Sequence, residues 1–185
     1  MISDLYGQKS LLPFMSTTSL TQFIQLFTLA DGEATQRLTE RLALVLQDPA
    51  SYQARYAEEL AERGIETTLP AQELRDVALI DGLLSEELLW EADWQDPTGD
   101  LVYGLNETLA QQGRTERLAE PAGARATTTG PEALDAVQDL LEPLGLALVL
   151  LTLDSDSHAL SVVAEAQVET LRSLAKELAF TLMVY

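Results

Sequence analysis

Two short stretches hold the residues whose types and spacing suit chemistry. In LTLDSDSHALSVVA, residues 151–164, Asp154, Asp156 and His158 stand between two apolar runs, and His158 is the single histidine of the chain. In WEADWQD, residues 90–96, the acids Glu91, Asp93 and Asp96 are interleaved with Trp90 and Trp94. Carboxylates two residues apart at the end of an apolar strand can hold a divalent cation or attack phosphorus. An aromatic pair set among acids can receive a basic partner. Asp93, Trp94, Asp154, Asp156 and His158 are therefore the candidate binding residues.

The residues around Asp154 and Asp156 weigh against each of the chemistries that a D-x-D pair suggests. Haloacid-dehalogenase-like phosphatases open this way, the first Asp as nucleophile and the second as acid. They also need a later Ser or Thr, a later Lys and a later acidic pair, whereas here only Lys176 follows, on a helix face, with no further Asp. A calcium loop of the EF-hand type counts Asp154, Asp156 and Glu165 at its first, third and twelfth positions. His158 and Ala159 then fall at positions five and six, and Leu160, Val162 and Val163 crowd the remainder. A nucleotide-sugar transferase would need an alternating strand–helix series upstream, which the sequence lacks. The plainer reading is a turn, in which short acids and serines bond their own backbone between two strands. In WEADWQD no histidine lies nearby, which disfavours a transition metal. If that stretch is helical, Trp90 and Trp94 share one face against the core and the acids form a solvated rim.

Composition removes further classes of function. The chain has 185 residues, a net charge of −19 and no cysteine. Nucleic acid and anionic membrane surfaces both require clustered Lys and Arg. Here lysine occurs only at Lys9 and Lys176, and the arginines are scattered among acids. No disulfide or thiolate chemistry is available. There is no P-loop, no dinucleotide fingerprint and no G-x-S-x-G elbow. No cofactor and no metal are expected. The charge serves solubility, or it steers a basic protein partner toward the chain. With neither a signal-peptide pattern nor a membrane-length apolar run, the expected compartment is the cytoplasm.

The elements that must position these residues follow from periodicity and punctuation. Residues 1–18 read as a flexible extension, and 19–185 as a single α+β domain. Ser19 with Gln22 fits a capping box that opens a helix running to Asp31-Gly32. Helices follow over EATQRLTERLALVLQD, ASYQARYAEELAERG and AQELRDVALIDG. Ser85, Glu86 and Glu87 suggest a further start at EELLWEADW, with a short strand as the alternative. DLVYGLNETLAQQG is helical to Gly113, which makes residues 19–113 mainly helical, and residues 114–130 form a loop or linker. Residues 131–185 then read as helix, β-hairpin, helix and terminal strand, FTLMVY, with helices segregated to one side of a small sheet.

LLWEADWQDPTGDLVYGL and LGLALVLLTLDSDSHALSVV, with a helix between and a helix after, resemble a bacterial family of domains of unknown function, number 6630. Its members carry a DW in mid-chain and a DSDSY-like hairpin near the end. Here His158 stands where an aromatic is usual, and Gln95 where a basic residue is common. The resemblance spans roughly residues 80–185. It implies a small cytoplasmic bacterial protein and brings no catalytic residues with it. Three functions are thus open: a non-enzymatic binding module, immunity-like, for a basic partner; a metal-dependent hydrolase or transferase using Asp154 and Asp156; and a structural homo-oligomer, such as a homodimer, joined through FTLMVY as an edge strand.

Overall fold

The computed structural model describes residues 17–151 and 157–185. Helices fill the first half: α1 (Thr17–Thr28), α2 (Gly32–Gln47), α3 (Pro49–Arg55), α4 (Ala57–Glu62) and α5 (Ala71–Ser85). The order then becomes mixed, with β1 (Trp90–Asp93), α6 (Thr98–Gln111), α7 (Pro131–Leu141), β2 (Leu146–Leu151), β3 (Ser157–Ala164), α8 (Val168–Leu178) and β4 (Met183–Val184). The strands form one antiparallel sheet in the order β1-β3-β2-β4. This is the expected α+β fold, with the hairpin at the centre of the sheet, the terminal strand at one edge and β1 added at the other.

Helices cover both faces of the sheet, not one. Ala147, Val149 and Leu151 of β2 join a core with α1, α2, α5 and α8, while Leu146, Leu148 and Leu150 join a second core with α6 and α7. This is why LALVLL reads as an unbroken apolar run: a strand packed on both faces has no side left for water. On β3, Ala159 and Val163 serve the first core, and Leu160 and Val162 the second.

Local chemistry accounts for the helix ends. Asp31 caps α2, its carboxylate accepting from the amides of Glu33 and Ala34 at 3.0 and 2.9 Å. Asp48 caps α3, with Pro49 at the first helical position, where a missing amide costs nothing. Helix α1 begins at Thr17, so Ser19 stands inside its first turn and does not cap it. The single helix expected over residues 50–64 breaks at Tyr56, which separates α3 from α4. The break turns Tyr52, Tyr56 and Glu59 toward one side chain, Arg41 of α2.

Helix α5 runs through Gly82 because that glycine lets α2 come close. A Cβ there would sit 3.0 Å from Leu38 Cδ2 and 3.5 Å from Arg41 Cδ. The helix then ends where the sequence suggested a new one. Glu87 N–H donates to Leu84 O and Leu88 N–H to Leu83 O, both at 2.9 Å, with Glu87 in the left-handed region at φ 57°. This Schellman cap normally holds glycine. Helix α8 ends the same way at Ala179, φ 56°, with Phe180 N–H donating to Ala175 O. Ala179→Gly should therefore raise the unfolding free energy by about 0.5–1 kcal/mol, since a Cβ at positive φ is strained. Urea denaturation measures it, and an unchanged or lower midpoint would contradict the cap.

Candidate functional site along the open sheet edge

Within LLWEADW, Trp90–Asp93 form a strand, and this changes what each residue of the segment does. Trp90 and Ala92 point to the α6 side of the sheet, where Ala92 is buried and Trp90 packs partly covered. Glu91 points to the other side and meets Arg63 Nη1 at 2.8 Å. Trp94 lies beyond the strand and is 46% exposed. The shared helical face expected for Trp90 and Trp94 does not form, because a period of two has replaced one of 3.6.

Trp90 lies flat on helix α6. A Cβ at Gly104 would fall 2.1 Å from Trp90 Cδ2, so the indole occupies space that any other residue would fill. The ring of Tyr103 meets it edge-on, with centroids 6.0 Å apart, and Tyr103 itself is 63% exposed. Beside this pair runs a groove of about 660 Å³, lined by Leu84, Glu87 and Leu89 before the strand, Trp90 and Glu91 on it, and Tyr103 and Glu107 of α6. Its lining comes from both faces of the sheet, so the groove follows the outer edge of β1. Among the described residues, three carboxylates and two aromatic rings line it, with no Lys or Arg.

A second hollow, about 420 Å³, adjoins the first through Leu84 and Glu91 and is lined also by Glu59, Glu62, Arg63 and Asp81. Beneath it lies a network of buried charge. Arg63 Nε donates to Asp81 Oδ1. Arg41, 8% exposed, donates to Tyr52 Oη from Nε and Nη2 and to Glu59 Oε2 at 2.7 Å, with its guanidinium 4.2 Å from the centre of the Tyr56 ring. Among the described residues, Asp81 Oδ2 has no hydrogen-bond donor, and Arg41 Nη2 stands 3.9 Å away. Burial pushes the Asp81 carboxyl up, against the pull of Arg63 and Arg41. Burial also raises the Tyr52 phenol. These groups fix α2, α3, α4, α5 and β1 to one another, and so hold the groove's wall.

The residues singled out from sequence lie elsewhere. Asp93 Oδ1 accepts from the amide of Gln95 at 2.8 Å, and Asp96 Oδ2 accepts from the amide of Asp93 at 2.8 Å. The acids at the end of β1 thus serve a local turn. The carbonyl of Trp94 accepts from Gly130 N–H at 3.1 Å, tying that turn to the start of α7. His158, partly exposed, pairs with Ala92 across β1 and β3. Asp154 and Asp156 lie outside the described residues. Among the described residues, no group of three or more His, Asp or Glu is placed to hold a metal ion, and no helix is long and apolar enough to cross a membrane. Glu87, Tyr103 and Glu107 were missed because they come from two separate segments, the end of α5 and the middle of α6. Only the strand reading of residues 90–93 brings them beside Trp90.

Fold and groove together define an α+β protein with a two-sided helical cover and an acidic, aromatic channel at one sheet edge. The chain belongs to a family described as a domain of unknown function (DUF6630), whose model matches residues 19–185. That match extends the resemblance seen over residues 80–185 across the N-terminal helices, which supply Glu59, Glu62 and Arg63 to the adjoining hollow. No curated protein and no solved structure matches the chain.

Proposed function

We propose that this protein is an interaction module that holds a basic partner, without a catalytic role of its own, at the groove beside β1. The observation that carries the reading is the lining itself: Glu87, Glu107 and the Arg63-paired Glu91 beside the partly covered Trp90 and the exposed Tyr103, with no Lys or Arg among the described lining residues. A guanidinium or ammonium group over such rings gains about 0.5–2 kcal/mol, and the nearby carboxylates complement its charge. The net charge of −19 adds a long-range field that draws basic molecules to the surface. A cysteine-free acidic chain of this kind fits a cytoplasmic setting.

Calorimetry of the full chain with a capped hexapeptide of sequence TRVRVT tests the reading. Binding should weaken with rising salt, and the Glu-for-Arg counterpart TEVEVT should not bind. Equal binding of both peptides, or of neither, would remove the proposal. Glu87 offers a separate handle, because its left-handed backbone means that function and stability pull in opposite directions. Glu87→Gly should raise stability by about 0.5–1 kcal/mol while weakening TRVRVT. A variant that is stabilised but binds the peptide undiminished would take Glu87 out of the site.

A further inference from the structure

The geometry points to how that partner is held: as an extended segment added alongside β1 as a fifth strand, its backbone paired with Leu89 and Glu91. This rests on the basic-partner reading above. In an antiparallel pair, successive residues turn their N–H and C=O alternately toward the neighbouring strand and away from it. Contacts at both ends of β1 set the phase. Ser161 Oγ of β3 donates to Leu88 O at 2.7 Å, so the even-numbered residues face β3. At the other end, Asp93 N–H donates to Asp96 Oδ2 at 2.8 Å and Asp93 O accepts from Asp96 N–H at 2.9 Å, so Asp93 faces away. Leu89 and Glu91 share the parity of Asp93, and their N–H and C=O groups turn outward.

Among the described residues the strand order ends at β1, so those outward groups lie along the groove. Unpaired edge groups of this kind are a template for another strand. Asp96 closes the template at Asp93, leaving the stretch from Leu89 to Glu91. A segment laid there would send alternate side chains to the two walls. One set would meet Trp90, Tyr103 and Glu107, and the other Leu84, Glu87 and Glu91. Main-chain bonds then supply affinity and the walls supply selectivity, which favours Lys or Arg at alternate positions.

Parity makes the inference testable apart from the function it rests on. Two analogues of TRVRVT are compared with the parent by calorimetry, one N-methylated at its second and fourth residues, the other at its third and fifth. In strand addition only one set of amides faces β1, so one analogue should lose about tenfold or more in affinity and the other remain near the parent. Hydrogen exchange at the Glu91 amide should slow by about tenfold or more in the saturated complex. If both analogues bind like the parent, or both weaken with no protection of Glu91, strand addition is overturned while the acidic groove stands. If TRVRVT itself does not bind, both readings fall.

Discussion

Replacing Arg41 by methionine should lower the unfolding free energy by about 3–5 kcal/mol, the cost of leaving a buried charge without its partner. Methionine keeps much of the volume, so the loss is electrostatic. Three groups depend on the guanidinium: Tyr52, fully buried, loses both donors to its hydroxyl; Glu59 loses its 2.7 Å bond; and Asp81 loses the second of its two cations, keeping Arg63. For a chain of this size the melting temperature should drop on the order of 10 °C. The loss should also depend on pH, in a direction set by Asp81. Burial already holds its carboxyl above the ordinary value of 3.8, and removing Arg41 raises it further.

In the folded variant Asp81 therefore releases its proton at a higher pH than in the unfolded chain, where it does so near pH 4. Below that pH the stability this group contributes is fully present, and it is lost as pH rises through the raised folded value. The gap between wild type and Arg41→Met should accordingly be smaller at pH 4.5 than at pH 7.5 in urea denaturation. A gap that widens on acidification would contradict the charge assignment. Adding Asp81→Leu to Arg41→Met should restore part of the stability, because it removes the buried carboxylate that Arg41 helped to balance, while Arg63 keeps its bond to Glu91.

Much of the frame was legible in the sequence, because the signals concerned are local. LALVLL, HALSVVA and the amphipathic face of α8 each bury what their periodicity says they should. Pro131 and Gly145 mark the ends of the unit that contains α7. The misreadings came where a tertiary contact outranked a local signal. Asp81-Gly82 looks like a helix stop, yet the missing Cβ serves close packing on Leu38 and Arg41. Ser85, Glu86 and Glu87 look like a helix start, yet they end α5, with Glu87 in the conformation usually left to glycine. Trp90 and Trp94 are four apart, and only pairing with β3 decides that their spacing has no helical meaning. The groove was illegible for a related reason. It joins Glu87, Trp90 and Glu107 across a strand edge, and no short window of sequence contains an edge.

The contact between Trp90 and Gly104 yields the other large effect, one in which helix propensity and packing make opposite predictions. Gly104 lies in the interior of α6, where Gly→Ala ordinarily gains about 1 kcal/mol. Here the added methyl would overlap the indole, with Trp90 Cδ2, Cε2 and Cγ all within 2.3 Å of it. Trp90 is fixed at its backbone by pairing with Leu160, and α6 is held by Leu101, Leu105 and Leu109 in the core, so neither side can retreat freely. Gly104→Ala should thus cost about 1–3 kcal/mol net of its propensity gain, the usual range for overpacking. Trp90→Leu in the same chain should recover most of it, giving a coupling energy of about 1–3 kcal/mol in a double-mutant cycle. The same clash should displace the indole from α6 and disturb the groove, so that Gly104→Ala weakens TRVRVT. Trp fluorescence in a Trp94→Phe background reports that movement alone, since only Trp90 then remains. A stabilised Gly104→Ala with unchanged emission would mean that the ring does not rest on the helix, and the aromatic wall of the groove would have to be drawn differently.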